Sequence, residues 1–201
     1  MNKNTKNILS VFEQATDAER VVGMNWYFRA NSDARTFSRS YSLPVKVTAG
    51  VLAALSPNQS WRNNTKASAQ VFLRWNQGES LAGVPAYPAS IAKAESILKG
   101  GNPGDILKGL KTTSFYNNIV SPWTSSSVTV DGHGYSIWNG KRTTLETTPS
   151  RIFRPKWYNT IAADYKTVAA ELGIRPNQVQ AVTWVAWRRI IGVQKQGLYD
   201  L

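Results

Sequence analysis

Cysteine is absent from this chain of 201 residues, and histidine occurs once, at His133. Without cysteine there is no disulfide, no thiolate nucleophile, no Cys-ligated zinc and no iron–sulfur cluster. One imidazole excludes a multi-histidine metal site as well, so the expectation is a protein that uses no metal and no cofactor. Acidic residues are scarce: 12 against 24 Lys and Arg, leaving a net charge of +12 and a pI near 10.1. No acid falls between Asp33 and Glu79, where Arg35, Arg39, Lys46, Arg62, Lys66 and Arg74 stand. The interval from Glu146 to Asp164 repeats the pattern with Arg151, Arg154 and Lys156. Such an excess favours a polyanionic partner, nucleic acid before an anionic membrane surface; the bland alternative is that it only solubilises a small protein. No apolar run approaches the roughly 20 residues of a membrane span, and the opening MNKNTKNILS lacks the apolar core of a signal peptide. The expectation is a soluble, cytoplasmic protein, monomeric by default.

Apolar residues recur at helical spacing, with no convincing pair of strands. Residues 5–30 read as one or two helices, with Asp17 as an expected N-cap, and Asn31 to Ser42 as a polar, Arg-bearing connection. Pro44 suits the first turn of a helix, and Val45 to Leu55 is apolar enough to be buried throughout. The segment Ser56-Pro57-Asn58-Gln59-Ser60-Trp61 is a polar turn into a further helix reaching about Trp75. Residues Ala89 to Leu98 form a short helix, and Arg151 to Leu172 a long one ending at Gly173. The last helix, opened by Pro176, is too apolar along Val179 to Ile191 to be anything but packed, and a tail follows it.

The stretch Asp105 to Trp138 organises the rest. A short apolar turn (Ile106, Leu107, Leu110) is broken by Gly109; Phe115 and Ile119 then share a helical face, and Pro122 ends that run. Val128-Thr129-Val130, too short to count as a sheet, delivers Asp131, followed by Gly132, His133 and Gly134. Tyr135 to Trp138 begins another helix with Asp131 as its N-cap, where a carboxylate is held ionised and is available as a base or as a stabiliser of positive charge. The other acids sit mostly on amphipathic helices or turns.

These residues resemble the helix-hairpin-helix DNA glycosylase superfamily. The matching pieces are Leu107-Lys108-Gly109-Leu110-Lys111-Thr112 and, one helix further on, Val130-Asp131-Gly132-His133. The resemblance implies a single all-α, two-lobed domain over residues 1–201, with the helix-hairpin-helix at about 104–120, the catalytic turn at 128–134, and a cleft between the lobes. It implies base flipping, cleavage of the N-glycosidic bond assisted by Asp131, and phosphate grip by hairpin amides near Gly109 with Lys108, Lys111 and Thr112. The family hairpin usually carries a second glycine where this chain has Lys111. That residue is therefore either the Schiff-base nucleophile of an AP lyase in a shortened hairpin or a phosphate contact.

The segment Ala54 to Gln59 looks like the one whose amide enters the space left by the flipped base, with Asn58 or Gln59 as the plug; ordinary turn chemistry before an N-cap at Ser60 explains it equally well. Arg62 follows on the basic helix. Trp61 either stacks on a base or anchors its helix to the core, and His133 either contacts phosphate or hydrogen-bonds Asp131. Tyr116, Tyr135 and Trp138 are the expected base pocket. The function so implied is a DNA glycosylase of base excision repair acting on duplex DNA. Two alternatives stand beside it: an enzyme of the same fold that hypermodifies thymine in phage DNA, and a non-catalytic DNA-binding protein.

Overall fold

The computed structural model describes residues 1–144 and 146–193, and among these the secondary structure is helical, with no strand. The all-α expectation holds. Helix α1 (Lys3–Glu13) is followed by the long α2 (Asp17–Tyr41), the buried α3 (Val45–Leu55), α4 (Trp61–Asn76) and α5 (Pro88–Leu98). A single turn, α6 (Pro103–Ile106), leads to α7 (Leu110–Val120) and α8 (Gly132–Asn139). A 3-10 turn (Ser150–Phe153), α9 (Pro155–Leu172) and α10 (Pro176–Ile190) complete the order. No described helix is long and apolar enough to cross a membrane. The tail expected after α10 lies outside the described residues from position 194 onward.

Three boundaries differ from the sequence expectation. The N-cap of α2 is Thr16, not Asp17: the Thr16 hydroxyl accepts from the Glu19 amide at 3.2 Å and the Glu19 carboxylate accepts from the Thr16 amide at 2.9 Å, a reciprocal capping box. Residues Asn31 to Tyr41 continue α2 instead of forming a connection. Their polar side chains satisfy tertiary partners: Asn31 Nδ2 donates to the Ile119 carbonyl at 2.8 Å, while Ala30 and Ala34 meet the core. The expected long helix from Arg151 is split, because Pro155 disfavours helical geometry at Arg154 before it and opens α9.

The apolar interior divides into two large clusters with a smaller one between them. The first joins α1, α8, α9 and α10 through Ile8, Ile137, Ile161, Tyr165, Val179 and Val182. The second joins α3, α4 and α5 through Leu55, Val71, Phe72, Ala94, Ile97 and Leu98. Between them, Tyr27, Ala30, Leu52, Ile119 and Ala181 tie α2, α3, α7 and α10 together. Helix α2 packs along α10, and Gly23 permits it: a Cβ there would lie 2.4 Å from Val182 Cα.

The segment Val128–Val130 is buried and extended without a strand partner. The Tyr158 hydroxyl replaces one, accepting from the Val130 amide at 3.0 Å and donating to the Val128 carbonyl at 2.7 Å. That clamp fixes the approach to Asp131.

Candidate functional site

A cleft of about 350 Å³ opens against the small cluster, where Tyr27 and Ala181 meet Trp26, Trp61 and Phe115. Its walls come from five places: Trp26 and Tyr27 on α2, the Ser56–Ser60 turn with Trp61 on α4, Lys111 and Phe115 on α7, the Thr129–His133 segment, and α10. Asp131 is the one carboxylate in the lining, facing a space that also holds Lys111, His133 and Arg188.

Asp131 caps α8 as expected. Its Oδ1 accepts from the Gly134 amide at 2.8 Å, which fixes the carboxylate at the positive end of the helix. Its negative charge reaches the groups around it. Burial, with Asp131 adding to it, raises the phenols of Tyr27, Tyr158 and Tyr165 above their ordinary value. Burial pulls Arg188 below its ordinary value and Asp131 opposes that shift.

Lys111 and Phe115 are four residues apart on α7, so both reach the cleft from one face. Gly109 caps α7 in an ordinary extended conformation (φ −75°), and Lys111 occupies the first turn of the helix. The hairpin of the sequence reading is thus the three-residue link Leu107-Lys108-Gly109. Leu107 is buried, and its carbonyl accepts from the Thr113 hydroxyl.

Asn58 sits in the left-handed region (φ 56°), a conformation that asparagine tolerates better than most residues. Its Nδ2 donates to the Tyr87 hydroxyl at 3.0 Å, and Gln59 Nε2 donates to the Pro85 carbonyl at 2.6 Å. Ser60 caps α4 by accepting from the Asn63 amide at 3.2 Å. The turn chemistry is thus present, and Asn58 and Gln59 also line the cleft. Trp61 is anchored as well. Its Nε1 donates to Asp33 Oδ2 at 2.8 Å, and its ring packs edge-on against Trp26 at 5.2 Å, yet it forms part of the cleft wall. His133 packs edge-on against Trp184 at 6.4 Å, and Arg188 lies 4.7 Å over that same indole.

The expected base pocket of Tyr116, Tyr135 and Trp138 is not part of this lining. The reason is helical phase. Tyr116, one residue past Phe115, packs against the same two clusters as Phe115 but does not reach the cleft. On α8, His133 faces the cleft, whereas Tyr135 is buried in the α1–α9–α10 core. Trp138 Nε1 donates to Asp164 Oδ2 at 2.6 Å on the side away from the cleft. The cleft's aromatic residues are instead Trp26, Tyr27, Trp61, Phe115 and Trp184. Arg62, Lys108, Gly109 and Thr112 also lie outside the lining; the first three are exposed on the first turn of α4 and in the link before α7.

Sequence reasoning missed the contribution of α10, which it took as packing alone. Gln180, Trp184 and Arg188 all line the cleft. Their spacing, four residues between each, is one helical stripe, and a Gln inside the apolar run Val179 to Val182 was the signal that could have found it.

Fold and site define an all-α protein with a cleft walled by aromatics and carrying one capped carboxylate beside Lys111, His133 and Arg188. The chain belongs to a family of unknown function, DUF7178, matched over residues 1–190. Neither a curated protein nor a solved structure matches it.

Proposed function

We propose that this protein is a monomeric, cytoplasmic DNA glycosylase of the helix-hairpin-helix type, which draws one base out of the duplex into the α7–α10 cleft and breaks its bond to the sugar. One observation carries the reading. Asp131, to which the resemblance gives the charge-stabilising role, and Lys111, to which it gives either the nucleophile's role or a phosphate contact, reach the same cleft from different elements, together with the Asn58–Gln59 turn.

Cleavage of the N-glycosidic bond places positive charge on C1′ and sends the bonding pair to the departing base. The Asp131 carboxylate, fixed at the α8 N-terminus, stabilises that positive charge. In its neutral form the Lys111 amine adds to C1′, loses a proton, and yields a Schiff base after the sugar ring opens; strand cleavage follows by elimination. Without that attack, water adds and the enzyme releases base only. Aromatic walls offset part of the few kcal/mol that extrusion costs. Arg62, Lys108, Thr112 and the Gly109 amide are assigned to phosphates flanking the extruded nucleotide.

The test is a base-release and borohydride-trapping assay over duplexes bearing uracil, abasic, oxidised, alkylated and 5-substituted pyrimidine sites. Base release from at least one of them, with a trapped adduct that requires Lys111, is the expected result. Duplex binding with neither release nor adduct on any substrate removes the excision reading and leaves base modification or simple binding.

A further inference from the structure

The inner wall of the cleft holds an amide nitrogen with nothing to bond. Gln180 is 6% exposed and lines the cleft. Its Oε1 lies 2.8 Å from Tyr27 Oη, but Nε2 has no hydrogen-bond partner among the described residues. That nitrogen is open to the cleft, where an acceptor on a ligand can meet it.

The orientation of this amide is set from a distance. The Ser127 amide, which can only donate, lies 3.2 Å from Ser125 Oγ. Ser125 then donates to Asn118 Oδ1 at 2.6 Å, and Asn118 Nδ2 donates to Thr129 Oγ1 at 3.2 Å. Thr129 Oγ1 and Tyr27 Oη are 2.9 Å apart. The Tyr27 hydroxyl is the donor toward both Gln180 Oε1 and Thr129 Oγ1, so the amide oxygen is the end of Gln180 turned to Tyr27. Burial holds the Tyr27 phenol protonated, so it persists as the donor that locks Gln180. Trp26 and Phe115 flank the same space, their rings 5.6 Å apart.

We infer that Gln180 Nε2 reads an exocyclic carbonyl oxygen on a planar heterocycle, so that the cleft takes oxo-purines and oxo-pyrimidines and rejects adenine. Adenine carries an amino group where hypoxanthine carries a carbonyl, and it would set donor against donor. The assignment deepens the glycosylase reading and rests on it for the source of the base. Tyr27 is a positioning residue in this scheme, because it acts through Gln180.

The experiment titrates the full chain with free hypoxanthine and free adenine, which share a purine frame, and follows the fluorescence of the cleft tryptophans. Hypoxanthine is expected to bind about tenfold tighter than adenine. Gln180→Leu should bring the two affinities level. Tyr27→Phe frees the amide to turn and should raise adenine toward hypoxanthine, whereas a merely structural loss would weaken both alike. Equal affinities in the unmodified protein, no saturable binding of either base, or an unaltered ratio in both variants overturns the inference. Selective hypoxanthine binding by a protein that releases no base from any duplex would keep the base-reading site and remove the excision activity.

Discussion

At the scale of single residues, Asp131 caps α8 and, in the proposed chemistry, supplies the charge that stabilises C1′, and one substitution separates the two. Asparagine caps helices as well as aspartate does, so Asp131→Asn keeps the bond from the Gly134 amide and the start of α8 while removing the negative charge. Base release is expected to fall about 10²–10³-fold in single-turnover assays, the scale of losing one electrostatic contact to a transition state. Duplex affinity should not change, and equal turnover by the variant removes Asp131 from the chemistry. Lys111→Ala distinguishes the two roles open to that side chain. As a nucleophile, its loss abolishes the borohydride-trapped adduct and spares base release. As a phosphate contact, its loss leaves trapping intact and lowers the salt slope of binding by about one. These residues were legible in the sequence because each stands in or beside a polar turn between apolar segments. Gln180, Trp184 and Arg188 were not, because they ride on a helix whose other faces are core. Tyr116 and Tyr135 misled for a related reason: membership of the right segment does not fix which way a helical residue faces.

At the scale of elements, the contact of α2 with α10 depends on the missing side chain at Gly23. Gly23→Ala places a methyl group 2.4 Å from Val182 Cα, against backbone that cannot turn aside. It should cost about 3 kcal/mol or more, read as a drop in the urea midpoint; a loss below about 0.5 kcal/mol, the size of an ordinary surface change, would show that the helices can part without penalty. The start of α2 is tied to the end of α10 by Glu19, 1% exposed, whose Oε1 accepts from Arg189 Nε at 2.7 Å. Burial alone would raise this carboxyl; the Arg189 guanidinium and the Thr16 amide and hydroxyl outweigh it and hold it below its ordinary 4.5. A group whose pKa is lower in the folded chain adds stability above its unfolded pKa and loses it as pH falls through the folded one. The contribution is therefore complete at neutral pH and drains away below about pH 4.5. Glu19→Gln keeps a capping-box side chain but loses the charge. Its deficit, about 1–2 kcal/mol at neutral pH, should shrink toward zero in urea melts taken down to about pH 3. A deficit that does not vary with pH would mean that the charge contributes nothing. The apolar α3 and α10 were evident from composition and flanking prolines. The second half of α2 was not, because its inner stripe of Ala30, Ala34, Phe37 and Tyr41 is set among polar residues whose partners on α7 and α4 no local pattern encodes.

At the scale of the whole molecule, charge and cleft belong to different parts of the same problem. The excess of 24 basic over 12 acidic residues acts at long range and without sequence preference, which suits a phosphate backbone. The inner cleft reads a neutral heterocycle by donor placement, where ionic strength has little leverage. The basic bias was plain in the composition. The pairing of α2 with α10, from opposite ends of the described chain, sets the inner wall and could not be read from any stretch of sequence, since it arises only when the small cluster around Tyr27 and Ala181 closes. This division predicts two different salt responses from one protein. If about five phosphates are neutralised, duplex affinity should fall roughly 10²–10³-fold between about 50 and about 200 mM salt. Hypoxanthine affinity, measured in the same buffers, should change by less than about twofold. Fluorescence anisotropy of a labelled duplex and tryptophan quenching by the free base supply the two curves. A duplex affinity indifferent to salt would sink the polyanion reading of the +12 charge. A hypoxanthine affinity that falls in parallel with the duplex would mean that the free base is held by the basic surface and not by Gln180.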